Sequence, residues 1–178
     1  MPRYVALLRA VNVGGTGKLP MADLKALCID TGFTDVETYI ASGNVVFTCA
    51  AKADVAKAKL EKALHTYAKK PVGVVIRTAA ELAAILKQNP FGNEKPNFTY
   101  VIFLDAKPPR DALDKATGRT NEKMQLGKQE IFVFYPDGMG RSKLKIPAAK
   151  TGTARNLNTL AALGAMTGKI GQRSSHRA

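Results

Sequence analysis

The first 77 residues alternate between short apolar segments and amphipathic ones in an order that few folds accept. Apolar runs of about four to eight residues indicate strands, and apolar residues recurring every three or four positions indicate helices. The predicted strands are 4–11, 36–40, 45–47 and 72–77, and the predicted helices are 20–32 and 55–69. This β-α-β-β-α-β order is the split βαβ, ferredoxin-like arrangement, so the sequence predicts an α+β subdomain.

The remainder of the chain repeats much of this order. A helix capped by Thr78 is predicted at 79–88, and a stretch rich in Gly, Asn and Pro at 92–97 marks a boundary. Beyond it we expect a strand at 98–104, a short helix at 109–118, a hairpin at 123–126 and 131–135, and a last helix at 154–166. The predicted organisation is a ferredoxin-like subdomain with a connecting helix (1–91), a second, related α+β subdomain without the closing strand (98–168), and a basic tail (169–178).

The composition excludes several classes of protein. No apolar run approaches the roughly 20 residues that span a bilayer, and Met1 leads straight into a strand-like segment, so neither a membrane anchor nor a signal peptide is expected. Two cysteines and two histidines are too few for a disulfide framework or a Cys/His zinc site. We therefore expect a cytoplasmic protein with no metal and no cofactor.

Polar groups from distant segments are expected at one rim of the first sheet. In a split βαβ sheet the first and third strands are adjacent and antiparallel, so the end of one meets the start of the other. Glycines before the first helix allow N–H groups to turn inward, and the helix N-terminus points to the same place. The rim should therefore bind an anion, phosphate or carboxylate. Its expected ligand-binding residues are Arg9, Asn12, Gly14, Gly15, Lys18, Ser42 and Asn44.

A purely structural interpretation of the rim stays open. The glycine-rich string lacks the Walker A spacing, and Leu19 stands where a Ser or Thr would hold magnesium. In the structural interpretation the glycines only allow the backbone to turn between strand and helix, and Arg9 forms a salt bridge with Glu37. Ser42 and Asn44 then cap a hairpin turn. Ser42 is not expected to be a nucleophile, because no strand-to-helix elbow surrounds it.

The positive charge is concentrated at the end of the chain. Of the 27 Lys and Arg residues, eight lie in 138–178, which contains no Asp or Glu. Uncompensated positive charge attracts polyanions. The predicted last helix also carries Arg155, Asn156, Asn158 and Thr159, and the spacing of three of them on one face suits a phosphate, a sugar or a base edge. The alternative is a capped helix with a polar outer face and a solvated tail.

Five strings lie along the chain in a fixed order: ALLRAVNVGGTGKLPM, GF-x-DV-x-TYIASGNVVF, QNPF, RSKL and TARNLNTL. Together they resemble the bacterial domain-of-unknown-function family 1697, from Tyr4 to about Met166. The resemblance implies an α+β protein with ferredoxin-like subdomains and supplies no function. Ala10 stands where the family usually has glycine, and Leu157 where it usually has an aromatic residue, which argues against stacking there. By position, the family's marked residues are Arg9, Asn12, Gly14, Gly15, Lys18, Pro20, Met21, Ser42, Gly43, Asn44, Arg155, Asn156, Asn158 and Thr159.

Three functions are consistent with these features, and the sequence does not decide whether the protein is an enzyme. The leading hypothesis is a protein that binds phosphate-bearing partners, nucleic acid above all, because of the acid-free C-terminal stretch. The alternative is an enzyme or sensor for a small anionic metabolite, held at the Arg9 rim. The third is an interaction domain whose open sheet face pairs with another chain.

Overall fold

The protein is described by a computed structural model that covers residues 1–9, 18–40 and 42–174, with side chains as far as residue 168. The strands are β1 (Arg3–Leu8), β2 (Thr34–Tyr39), β3 (Asn44–Thr48), β4 (Val74–Thr78), β5 (Thr99–Phe103), β6 (Lys123–Leu126), β7 (Glu130–Phe134) and β8 (Thr153–Asn156). The α-helices are α1 (Met21–Asp30), α2 (Ala53–Ala68), α3 (Ala79–Gln88) and α4 (Leu157–Ser174). The strands form two four-stranded antiparallel sheets, so the predicted α+β class is confirmed.

The chain divides into two compact units. The first contains Met1–Ala83 and Ala162–Ala178, and the second contains Ala84–Ala161. The predicted limits 1–91 and 98–168 stay predictions. Within the described residues, no helix combines the length and the apolar character needed to cross a membrane.

The first unit is built on the sheet β2-β3-β1-β4, with β1 antiparallel to both of its neighbours. Because side chains alternate along a strand, Tyr4, Ala6 and Leu8 share one face and join a buried core. Helix α2 contributes Leu60 and Leu64 to the same core, at a spacing of four residues. The order β1-α1-β2-β3-α2-β4 confirms the predicted split βαβ arrangement.

The second unit repeats the strand order of the first, as β6-β7-β5-β8. One face of this sheet buries Ile102, Ile131 and Val133, and residues outside helices, such as Leu113 and Leu144, pack against them. The predicted helix at 109–118 is wrong, because residues 110–115 form turns and Thr117 pairs with Lys145 in an isolated β-bridge. Most of the backbone hydrogen bonds within 109–116 join residues three apart, and such turns do not propagate into an α-helix.

The last predicted helix is also wrong at its beginning. Residues Thr153–Asn156 form β8, which pairs with β5 and supplies the closing strand that the sequence did not predict. Helix α4 begins at Leu157 and continues to Ser174. Pairing with β5 gives the backbone N–H and C=O groups of this segment partners along the ladder, and this tertiary interaction outweighs the local helical pattern.

Each unit contains the same junction between its last strand and the following helix. Val5 of β1 faces Arg77, and Val101 of β5 faces Arg155, and both arginines are buried. Each arginine begins the pattern R-x4-L-A-A. The next residue caps the helix: Thr78 Oγ1 accepts a hydrogen bond from Glu81 N at 3.0 Å, and Asn156 Oδ1 accepts one from Thr159 N at 2.9 Å. The repeated string is a sequence signal for the second strand–helix junction that the prediction overlooked.

Candidate functional site

The end of β1 and the turn before β3 lie side by side. Leu8 N donates to Gly43 O at 2.9 Å, and Leu7 faces Asn44 in the strand register. The next residue, Arg9, donates its backbone N–H to Gly73 O at 2.9 Å, which adds the segment before β4 to the same rim. The structure thus brings Arg9 close to the Ser42–Asn44 turn as the topology predicts.

Not every residue predicted for the rim can be placed. Asn12, Gly14 and Gly15 lie outside the described residues. Lys18 is exposed two residues before Pro20, which precedes helix α1. A ligand-binding role for these residues stays a prediction.

Asn44 closes the turn between β2 and β3. Its side chain is fully buried, and Nδ2 donates to Tyr39 O and to Ser42 Oγ, each at 2.9 Å. Ile40 in this turn has a φ of 48°, a left-handed conformation that is costly for a β-branched residue. The structure therefore shows Ser42 and Asn44 acting as turn-closing residues, the structural role that the sequence also allowed.

Glu37 lies beside a different arginine from the one that the sequence suggested. It faces Val46, which in turn faces Val5, four residues before Arg9. Burial lowers the pKa of Arg3, and the carboxylates of Glu37 and Asp35 partly offset this effect. The charge of Glu37 therefore acts on Arg3.

Arg9 lines an open cleft in the first unit, with a volume of about 580 Å³. Its other walls are the 71–73 segment before β4 and one face of α2. That face carries Lys57, Glu61, Lys62 and His65, because residues four apart on a helix are neighbours. We call this space the Arg9 cleft. The sequence prediction missed the contribution of α2, although the polar residues at 57, 61 and 65 recur at helical spacing.

Glu61 is the one acidic residue among the described residues that line the Arg9 cleft, and it takes part in two interactions. Its Oε1 atom lies 3.5 Å from Lys57 Nζ and accepts a hydrogen bond from Val74 N at 3.2 Å. Glu61 therefore ties α2 to the start of β4 and balances Lys57. Among the described residues that line the cleft, Arg9, Lys57 and Lys62 are positively charged and Glu61 is negatively charged, so the lining is basic.

The residues predicted on one face of the last helix do not share a helical face. Arg155 lies in β8 with 7% of its surface exposed, and its Nη1 atom donates to Thr153 Oγ1 at 2.7 Å and Ala154 O at 2.9 Å. Burial lowers the pKa of Arg155 to about 10. Asn156 caps α4, Asn158 is exposed and Thr159 is buried. The prediction that these residues share one face of the last helix is therefore wrong, because β8 replaces the first turn of the predicted helix.

Part of the acid-free C-terminal stretch lies on the surface of the second unit. Arg141, Lys143, Lys145 and Lys150 are all exposed, and we call these four residues the basic stretch. The side chains of Lys169, Arg173 and Arg177 lie outside the described ones.

A second, smaller cavity of about 240 Å³ surrounds a residue that the sequence prediction overlooked. Glu122 has 3% of its surface exposed, and its carboxylate accepts hydrogen bonds from Ser142 Oγ and Thr120 N, both at 2.7 Å. These hydrogen bonds lower the pKa of Glu122, with the one from Ser142 contributing most. Ser142 belongs to the RSKL string, which was the available signal. In the described part of the chain, no group of three or more His, Cys, Asp or Glu side chains is arranged to hold a metal ion.

The fold and this site define an α+β protein with two antiparallel sheets of one strand order and a basic cleft at the rim of the first. The model of the family described as "Protein of unknown function (DUF1697)" matches residues 1–132, and the chain belongs to this family. The structure of a conserved bacterial protein from Streptococcus pneumoniae is similar, with a TM-score of 0.78 and 25% sequence identity over 93% of this chain and 98% of that one. A comparison with curated proteins gives no match.

Proposed function

We propose that this protein binds a small molecule that bears a phosphate group, and that the Arg9 cleft is the binding site. The observation that supports this proposal is that Arg9, Lys57 and Lys62 line one open space in which Glu61 is the one acidic residue among the described lining residues. Like charges are costly to hold together, and a bound anion relieves that cost. Guanidinium and ammonium groups both bind phosphate strongly. We expect the protein to act in the cytoplasm.

The size of the cleft favours a ligand larger than an inorganic ion. Its volume of about 580 Å³ falls among the roughly 300–1,000 Å³ typical of small-molecule sites. Pro71 and Val72 give one wall an apolar surface beside the charged groups. A phosphate ester with an organic body satisfies both features, and inorganic phosphate is the minimal probe of its charged end.

Replacement of Lys62 by alanine tests the proposal with little risk to the fold, because Lys62 is exposed. Lys62→Ala should weaken the affinity for inorganic phosphate about three- to tenfold, as the loss of about 1 kcal/mol of charge-assisted binding requires. The measurement is isothermal titration calorimetry at low ionic strength, where exposed charges are least screened.

Lys59→Ala is the matched control, because Lys59 lies on the same helix, is exposed and does not line the cleft. It removes the same charge and should leave the affinity almost unchanged. An equal loss of affinity in both variants would mean that phosphate binding depends only on the net charge of the protein. No measurable binding by the unmodified protein would refute the proposal outright.

A second candidate function is the binding of a polyanion such as nucleic acid. The observation that favours it is the exposure of the basic stretch, which belongs to a segment of the sequence with no acidic residue. Each phosphate that a protein neutralises on duplex DNA steepens the salt dependence of binding by about 0.9 in a double-logarithmic plot. Replacement of the four residues by glutamine should therefore flatten that slope for a mixed-sequence DNA duplex, measured by fluorescence anisotropy. The control removes four other exposed cations, namely Lys25, Lys59, Lys107 and Lys128.

A further inference from the structure

Gly73 is a wall residue of the Arg9 cleft and lies against the Arg9 guanidinium group. A Cβ atom built on Gly73 would lie 2.6 Å from Arg9 Nη2 and 2.8 Å from Cζ, and it would overlap Nε as well. Carbon atoms make favourable contacts at about 3.5–4.0 Å, so these distances are severe overlaps. The guanidinium group therefore occupies the space that the side chain of any other residue at position 73 would fill.

A left-handed backbone conformation does not explain why glycine occupies position 73. Its φ lies outside the positive range in which L-residues are strained, unlike Gly118 and Gly138, whose φ values are 72° and 87°. Alanine is thus compatible with the backbone at position 73. The three heavy atoms nearest to the built Cβ all belong to the Arg9 side chain. What an added methyl group would disturb first is the position of Arg9.

The backbones of the two residues are also joined. Arg9 N donates to Gly73 O at 2.9 Å, next to the pair formed by Leu8 and Val74 in the β1–β4 ladder. This hydrogen bond extends the ladder by one step and holds the Cα of Gly73 at a set distance from the Arg9 backbone. The Arg9 side chain then lies against Gly73, with the backbone of the 71–73 segment as its support.

We propose that Gly73 is a positioning residue of the Arg9 cleft: its lack of a side chain sets the place and orientation of the Arg9 guanidinium group. This inference rests on the proposed function. A guanidinium group binds phosphate through N–H groups that lie in its own plane. The surface against which the plane rests therefore decides from which direction a phosphate is bound, and binding geometry is sensitive to small displacements.

The first test replaces Gly73 by alanine in the full chain. Because the overlap is with the mobile end of a long side chain, we expect Arg9 to move and the fold to be retained. The Arg9 Nε–Hε resonance should shift in the absence of any ligand, which reports the contact itself. The affinity for inorganic phosphate should fall about fivefold or more, and the melting temperature should change by about 2 °C or less. Gly92→Ala is the matched control, because a Cβ there meets nothing within 4 Å.

The second test is a double-mutant cycle with Arg9→Ala. If Gly73 acts through Arg9, the effects of the two substitutions on phosphate affinity are not additive, and Gly73→Ala costs nothing further once Arg9 is truncated. The double variant also allows the test to be made if Gly73→Ala alone does not fold. Removal of the Arg9 side chain removes the overlap, so Arg9→Ala/Gly73→Ala should fold as Arg9→Ala does.

The outcomes separate this inference from the proposed function. An unchanged Arg9 Nε–Hε resonance in Gly73→Ala would overturn the positioning role whatever the ligand. A shifted resonance with full phosphate affinity, or additive effects in the cycle, would overturn it while leaving the Arg9 cleft as the binding site. Failure of the double variant to fold would show that Gly73 supports the backbone. Absence of phosphate binding by the unmodified protein would remove the proposed function and this inference together.

Discussion

Arg155 and Asn156 illustrate how much the role of a side chain depends on the element that carries it. On a helix, their residue types suit contacts with phosphate or base edges. On β8, Arg155 is buried and donates to Thr153 and Ala154, and Asn156 caps α4. The same polar residues thereby form hydrogen bonds with backbone groups at the junction between β8 and α4. Arg9 shows the opposite case, since it follows β1 and lines an open cleft.

Asn44 allows a test of turn closure against ligand contact. Asn44→Ala removes two hydrogen bonds from a fully buried side chain, and the Tyr39 carbonyl loses a partner. We expect the free energy of unfolding to fall by about 2 kcal/mol, measured by urea denaturation. We expect the folded variant to keep its affinity for inorganic phosphate within about twofold. Normal stability combined with lost affinity would show that Asn44 contacts the ligand instead.

Among the secondary-structure elements, those marked by a local apolar pattern, a cap or a turn signal were predictable, and the strand that depends only on a distant partner was not. Strand β6 lies at its predicted residues 123–126, and α3 lies at its predicted residues 79–88. Strand β8 could not be predicted locally, because its four residues become a strand only through pairing with β5. The Arg9 cleft was half predicted: topology places the end of β1 at the rim, whereas the contribution of α2 requires knowledge of how the helix packs.

Glu122 gives an element-scale prediction about pH, because it joins the segment before β6 to Ser142. The pKa of Glu122 is lowered in the folded protein, so its stabilising effect is present above its ordinary value of 4.5 and is lost as pH falls below that value. Glu122→Gln should therefore lower the melting temperature at pH 7, and the difference from the unmodified protein should shrink as pH falls from 4.5 towards 3. Thermal denaturation across this range measures it.

Asp114→Asn is the control for this pH experiment, because Asp114 lies in the same unit and is exposed. We expect a small change in melting temperature with little dependence on pH. A Glu122→Gln effect that stayed constant down to pH 3 would mean that the ionised carboxylate is not what joins the two segments.

At the scale of the whole molecule, the charge and the cleft belong to different parts of the chain. The formal net charge is +13, and eight of the basic residues lie in the acid-free C-terminal stretch. The Arg9 cleft lies in the first unit, and the basic stretch lies in the second. Net charge alone therefore favours polyanions, whereas the arrangement of groups around the cleft favours a small anionic ligand.

Binding of phosphate in the Arg9 cleft can be followed residue by residue in a nuclear magnetic resonance titration of the isotope-labelled protein with inorganic phosphate. Saturable shifts of the backbone amides of Arg9, Gly73 and the 57–65 face of α2 are the predicted result. A titration with chloride at matched ionic strength corrects for general salt effects. Shifts confined to the basic stretch, or shifts that chloride reproduces in full, would contradict phosphate binding in the Arg9 cleft.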